Sequence, residues 1–408
     1  DYLRDNRDEN MGFLSKTLLP DGTEIPGTNF DYNYLQHRKV DVVSSALDFI
    51  LPFEKYKITA GAKVSFTNTR NGINYDTSDP TLVQDDYFRY KEQIYALYAD
   101  YSREYSERFS MQLGLRMEHT RTTGISEAKD TEDKHDYTRL FPTVYLLYSP
   151  TDGHALNFSF SNRISRPSQN MVNPFPFYQN KYTYACGRED LKPSYTYNAE
   201  LGYTLKNNFN VSAYYSYSDD VFFQVVDLDA ETNVTSFLWE NFMKTHAFGL
   251  NNSYTFRTKW LQAYAQHGVS YRRTTSSAVT TSPEEKGWAY DASLRNTFFF
   301  NEKKTLLATL SGSYSSRQYQ GIYLMSPTYS VSAGMLYRLL DNKLNLSLNV
   351  NNLFVSHSKL ETMSNGLKII ADNQFSFTSF RIGVSYTFGG DIRSKGQRNS
   401  NEDIQRRL

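Results

Sequence analysis

The chain carries a single cysteine, Cys186, so it forms no internal disulfide and gives no sign of its redox compartment. It has no run of about 18 apolar residues, which excludes a transmembrane helix. It has no excess of either charge, 44 basic residues against 44 acidic, and so lacks the broad basic field of a nucleic-acid binder. Its histidines (His37, His119, His135, His154, His246, His267 and His357) lie far apart, with no two at metal-ligand spacing. There is no Gly-x-Ser-x-Gly elbow, and Glu118-His119 finds only the serines that any wet strand face supplies, so an enzyme is not expected. No charged-then-apolar leader stands at Asp1, so any signal peptide is expected to have been removed or to lie upstream. What is abundant is aromatic: 33 Tyr and 27 Phe, 15 % with Trp included. Soluble domains seldom carry so much Tyr, whereas membrane barrels place aromatic girdles at both interfaces.

The apolar residues that are present alternate. Leu156, Phe158 and Phe160 interleave with Asn157, Ser159 and Ser161, and Tyr195, Tyr197, Ala199, Leu201 and Tyr203 follow the same rule. Period two means strands with one wet and one greasy face. The pattern recurs from Val43 to Phe388, for example in Leu113, Leu115 and Met117, and in Leu344, Leu346, Leu348 and Val350. Short polar turns such as Glu54-Lys55, Thr151-Asp152-Gly153 and Asp341-Asn342-Lys343 take turns with long loops. About 15 strands result, each near the 9–11 residues that a tilted strand needs to cross a bilayer. A mean hydropathy of −0.60 fits, because such strands hide their hydrophobicity in alternate positions. The fold expected is an all-β, antiparallel transmembrane β-barrel with short periplasmic turns and long extracellular loops, in a bacterial outer membrane, where lipid is its first partner.

The expected division has three parts. Residues 1–37, polar and with turn clusters at Pro20-Asp21-Gly22 and Pro26-Gly27, read as an extracellular loop segment. Residues 38–390 read as the barrel, and 391–408, rich in Gly, Ser, Asn and charge, as a disordered periplasmic tail. The first strand, Val43–Pro52, and the last, Phe380–Phe388, both run toward the periplasm. An antiparallel barrel needs an even strand count. Either a strand hides in residues 1–37 or strands are missing upstream. The second is expected, with the edges at Val43–Pro52 and Phe380–Phe388 unsatisfied.

Alternation sends Lys63, Asp100, Arg116, Glu118, Glu200, Asp291, Arg295, Arg338 and Arg381 to the lumen. Both signs occur, which argues against a strongly ion-selective pore and for inter-strand ion pairs and contacts to a plug. Asp85-Asp86 and Asp219-Asp220 sit at the outward ends but lack the spacing of a calcium loop, so no metal and no cofactor is expected. The longest loop, between the strands at Leu156 and Tyr195, carries Phe175, Phe177, Tyr178, Tyr182 and Tyr184. These aromatics either stack on a ligand at the outer mouth or pack on each other to order the loop.

That loop also carries a resemblance. Arg163-Ile164-Ser165-Arg166-Pro167-Ser168, then Val172-Asn173-Pro174-Phe175, Gly187 and Leu191-Lys192-Pro193, resembles the outer-membrane β-barrel family related to TonB-dependent receptors. Leu113-Gly114-Leu115-Arg116-Met117-Glu118, Val350-Asn351-Asn352-Leu353-Phe354 and the closing Tyr386-Thr387-Phe388-Gly389-Gly390 fit as well. Where such proteins often read Gly-Asn-Pro before Leu-Lys-Pro-Glu, this chain has Arg188 and Glu189 after Gly187, and Ser194 after Pro193. The resemblance implies energised uptake of a scarce nutrient through a plugged barrel. Its implied partners are an upstream plug domain, an inner-membrane TonB complex, and a small or oligomeric nutrient of unspecified kind. A passive channel or surface-binding barrel without energy coupling is the alternative.

Overall fold

A computed structural model describes residues 1–77, 85–373 and 377–388. In chain order the strands are β1 (Tyr2–Ser15), β2 (Phe30–Pro52), β3 (Lys57–Thr77), β4 (Asp86–Ser106), β5 (Phe109–Ser126), β6 (Thr131–Tyr148) and β7 (His154–Ser165). The single helical turn α1 (Gln169–Val172) and two short strands, β8 (Pro176–Asn180) and β9 (Thr183–Cys186), lie in the long loop. Then follow β10 (Ser194–Leu205), β11 (Phe209–Asp229), β12 (Val234–Arg257), β13 (Leu261–Ser276), β14 (Glu284–Phe299) and β15 (Leu306–Ser315). The series ends with β16 (Gln318–Gln320), β17 (Tyr323–Met325), β18 (Thr328–Leu339), β19 (Leu344–Val355), β20 (Ser358–Ser364), β21 (Leu367–Asn373) and β22 (Ser379–Tyr386).

The main sheet has 18 strands, and β8 and β9 belong to the loop, which leaves 16 in the wall. Wall neighbours are antiparallel and follow the chain, from β1 through β7 to β10–β15, β18, β19 and β22. Short turns join them at one end. Around Glu54-Lys55, for instance, Phe53 N–H donates to Tyr56 O at 2.8 Å, and the two rings stack at 4.5 Å. The other end carries long hairpins. A small four-stranded sheet of β16, β17, β20 and β21 packs there against β11, around Val225, Val226, Ile322 and Tyr323.

Alternation sorts the faces as expected. Leu47, Phe49, Leu97, Leu115, Leu250, Leu294 and Leu348 line the outer face and are exposed, as a lipid-facing belt must be. On the inner face of β2–β5 lie Ser44, Ser65, Glu92, Glu118 and Thr120, all buried.

Two expectations need correction. Residues 1–37 are not a loop segment, because β1 pairs with β2 along its whole length, from Tyr2 opposite Val43 to Ser15 opposite Phe30. Among the described residues the wall thus has 16 strands rather than about 15, the added one, β1, flanking only the outer part of β2. Toward the periplasm the N-terminal edge is still β2 from Ser45 to Pro52, close to the Val43–Pro52 edge expected. Ser44 N–H donates to Asp1 O at 2.9 Å, and only beyond that bond does β2 lack a neighbour on that side among the described residues. β3 runs past Asn68 to Thr77, and residues 78–84 lie outside the described ones. The tail at 391–408 also lies outside the described residues. At the far side β22 pairs with β19, and no ladder joins β22 to β1 among the described residues, so the wall is an open sheet there.

One internal seam opens near the outer end. β6 pairs with β7 only from Thr143 to Tyr148. Pro142 has no N–H to continue that ladder. Above it the bridge is a side chain, Asn162 Nδ2 donating to Leu140 O at 3.3 Å.

Candidate functional site

The segment from Arg166 to Pro193 leaves the wall between β7 and β10 and folds across its inner face at the outer end. Its first anchor is electrostatic. Ile164 stays in the wall opposite Tyr195, and two residues later Arg166 turns inward. Arg166 Nη2 donates to Glu118 Oε2 at 2.6 Å and to Thr120 Oγ1 at 3.2 Å, and Glu92 Oε1 lies 3.9 Å from Nε. Glu118 is held from the other side by Arg116 Nε, at 2.6 Å. Glu92 and Glu118 stand on adjacent strands, and both face inward by register. Burial by itself would lower the Arg166 pKa, but the carboxylates of Glu118 and Glu92 raise it, so the guanidinium stays charged.

The second anchor is aromatic. Phe175, Tyr178, Val172 and Leu191 are buried against Phe30, Tyr32, Tyr34, Ile73 and Phe88 of β2, β3 and β4. Tyr178 meets Tyr32 edge-on at 5.0 Å, Phe177 meets Tyr34 at 5.6 Å, and Tyr184 lies 5.3 Å from Tyr178. The hydroxyls of Tyr32 and Tyr75 both donate to Pro176 O, at 3.3 and 3.2 Å. Burial pushes the Tyr34 hydroxyl up to about 12 and that of Tyr75 higher.

The third anchor lies on the opposite side. β9 runs parallel to β12, with Thr183 to Cys186 opposite Thr235 to Leu238. Asn241 of β12 accepts from Lys192 N–H at 2.8 Å and donates to Lys192 O at 2.8 Å. Gly187 is the joint: a Cβ there would stand 2.6 Å from Met171 O and closer still to Asn173 O. The residues that depart from the family pattern have structural work. Arg188 forks onto Asp190 at 2.6 and 2.9 Å and reaches Glu240 at 2.9 Å, and Glu189 accepts from Thr131 at 2.8 Å. Under this lid is a cleft of about 240 Å³ lined by Glu9, Gln36, Ile73, Asn170, Cys186 and Trp239.

The aromatics considered as a ligand platform are thus mostly lid core. Phe175 and Tyr178 are buried, Phe177 and Tyr184 half-buried, and Tyr182 at the hairpin tip is 49 % exposed. By register the nine inward charges fall on the inner face. Lys63 and Glu118 both stand opposite Ala96, Asp100 opposite Gly114, and Arg116 opposite Tyr98. Glu200, Asp291, Arg295, Arg338 and Arg381 lie on β10, β14, β18 and β22, apart from this cluster. Asp291 accepts from Ser315 Oγ at 2.6 Å. Arg166, Glu92 and Arg38 are the residues not singled out from sequence. Arg38 is 6 % exposed and reaches Asp5 at 3.3 Å and Asn170 at 3.5 Å. The signal for Glu92 was available, since its parity places it inward beside Glu118.

Other candidates dissolve into structure. His119 faces outward to Thr138 and Asp136 while Glu118 faces in, so the two share no site. Asp86 is occupied by Tyr87 N–H, Ala128 N–H and Ser126 Oγ, and Asp219 by Lys244. Among the described residues no three His, Cys, Asp or Glu gather as metal ligands.

Solved structures share the fold. The ferric yersiniabactin uptake receptor FyuA of Yersinia pestis superposes with a TM-score of 0.59 at 15 % identity, over 88 % of this chain and 56 % of its own. The siderophore receptor PiuA from Acinetobacter baumannii gives 0.58 at 12 % identity, over 94 % and 64 %. The ferripyoverdine receptor of the outer membrane of Pseudomonas aeruginosa gives 0.58 at 16 %, over 94 % and 53 %. The chain thus spans between about half and two thirds of the length of these structures. No curated protein matches it. The model of the outer membrane protein beta-barrel family matches residues 1–386, so a bacterial outer membrane is its location and the chain belongs to that family.

Proposed function

We propose that this chain is the barrel part of an outer-membrane receptor that takes up a scarce nutrient, of the TonB-dependent type, with a plug domain and an inner-membrane TonB complex as partners. The observation that carries the reading is the lid. Residues 166–193 cross the inner face from the β7–β10 junction to β2–β5 on one side and β12 on the other, held by a buried ion cluster and an aromatic core. A passive pore has no use for a mouth so firmly covered, whereas a gated receptor needs a closed resting state. The fold shared with metal-siderophore receptors supports the same reading. The open edges along Ser45–Pro52 of β2 and along β22 fit it too. Unpaired backbone at membrane depth costs several kcal/mol per group, so further strands are proposed to cover them.

The test is in cells that depend on the intact protein for a limiting nutrient. Deletion of residues 170–187 is expected to leave the wall assembled, to abolish nutrient-dependent growth, and to admit bulky antibiotics. Collapse of the inner-membrane proton gradient is expected to stop uptake by the intact protein. Uptake that continues without the gradient would establish the passive alternative instead.

A further inference from the structure

Ladder register places a row of like charges on the outer face, just above the lipid belt. Lys39 of β2 stands opposite Arg70 of β3, and Arg70 opposite Arg89 of β4. One step nearer the belt, Asn68 stands between Asp41 and Lys91. The next step down is the belt edge itself, Val43 opposite Phe66, with Tyr95 packed edge-on against Phe66 at 5.8 Å. Like charges directly opposite each other across a ladder are destabilising. The one carboxylate in the group, Asp41, is shared between Arg4 at 2.6 Å and Arg70 at 3.6 Å. Among the described residues Lys39, Arg89 and Lys91 make no ion pair. The patch therefore sums five positive charges, Arg4, Lys39, Arg70, Arg89 and Lys91, against one negative.

The far wall is different at the same level. There Lys244 pairs with Asp219 at 3.2 Å, and Glu284 sits between Arg273 and Lys286, bonding both. Basic residues above the belt are thus each paired on β11–β14, three cations to two carboxylates, and left in large excess on β2–β4, five to one.

Height identifies what meets the excess. Lys39 is four residues beyond Val43, which at ~3.4 Å per residue and ~45° tilt puts it about 10 Å above the belt edge. That is headgroup level, and the side chains point away from the mouth. We propose that the outer face of β2–β4 is a binding site for the phosphorylated glycolipid of the outer leaflet, with Arg70 and Arg89 taking a phosphate between them and Lys39 and Lys91 flanking it. Guanidinium forks match phosphate geometry, and the anion relieves the Lys39–Arg70–Arg89 repulsion.

The test uses the full chain in phosphatidylcholine nanodiscs doped with bisphosphoryl lipid A, or with the same lipid stripped of its phosphates. Native mass spectrometry then reads the lipid retained on release. The phosphorylated form is expected to be retained at least about tenfold more than the stripped one, and the Arg70→Gln/Arg89→Gln variant to lose that preference. Lys244→Gln on the far wall is expected to keep it. Heat-modifiable gel mobility verifies that each variant is folded, and Arg89→Gln alone replaces the double variant if that one is not. Equal retention of the two lipids, an unchanged preference in the variant, or full displacement by millimolar inorganic phosphate, the mark of a free-anion site, would each overturn the proposal.

Discussion

Arg166 and Glu118, 48 positions apart in the chain, meet at 2.6 Å beneath the lid and tie the start of the loop to the middle of β5. Both side chains are about nine-tenths buried, 11 % and 9 % exposed. Removing one partner of such a pair strands the other in a dry site. Arg166→Ala is expected to loosen the lid by about 3 kcal/mol, the low end for a broken buried pair, because Arg116 still holds Glu118. The measurement is amide hydrogen exchange. Residues 169–191 should exchange faster while β13–β15 stay protected, and Arg166→Lys should recover part of the loss, since it restores charge without the fork. Unchanged exchange in the lid would show that the aromatic core alone holds it.

Face assignment makes a separate prediction on β19. Leu348 is 43 % exposed on the outer belt, whereas Ser347 points inward opposite Gly383. Leu348→Arg is expected to cost about 2–4 kcal/mol near the bilayer midplane, and Ser347→Arg much less. The folded band in a heat-modifiability gel is the readout, and equal loss in both variants would mean the faces are reversed.

How far the sequence carried the fold depended on where each strand stands relative to lipid. Within the membrane one face must be apolar, so Leu113, Leu115 and Met117, or Leu344 to Val350, announce themselves. β1 did not, because the belt is below it. From Arg4 to Asn10 its outer face reads Arg4, Asn6, Asp8 and Asn10 and its inner face Asp5, Arg7 and Glu9, and apolar residues stand only at its ends, Tyr2 and Leu3 at one and Met11, Phe13 and Leu14 at the other. The loop aromatics were visible but ambiguous, since what they pack on lies far away in sequence: Tyr32 and Tyr75 reach Pro176 across 144 and 101 positions. Alternation does place Glu92 and Glu118 inward. Nothing local says that the second arginine of the Arg163–Ser168 run comes to meet them.

Gly187 offers a steric test of the lid joint. A methyl group there would collide with two backbone carbonyls, those of Asn173 and Met171, and backbone gives way less readily than a side-chain tip. Gly187→Ala is expected to cost about 1–3 kcal/mol, as overpacking does in a filled interior. Arg188 N–H donates to Met171 O at 2.8 Å, and this bond should be the first lost. Faster exchange confined to residues 169–191, with normal gel mobility, is the expected signature. A variant as protected as the parent would show that the loop path adjusts freely.

Cys186 reports on lid opening without any added probe, because it is the chain's single thiol. It lies on β9 with Sγ donating to Pro174 O at 3.0 Å. Burial raises its pKa, and nearby Lys129 only partly offsets this. Alkylation needs thiolate and access, so labelling by iodoacetamide at pH 8 is expected to be slow in the parent and much faster in Arg166→Ala. The sign of the pH dependence follows. A closed lid keeps the thiol protonated at pH values where an open one ionises. The stability this contributes is complete below the free-thiol value of about 8.5 and is lost as pH rises toward the raised one. Tyr34, pushed up to about 12 by burial, extends the same trend above about pH 10. Lid exchange rates should therefore climb with pH more steeply than intrinsic amide chemistry requires, and the excess near pH 9 should vanish in Cys186→Ser. Persistence of that excess in Cys186→Ser would assign the alkaline opening to some other group.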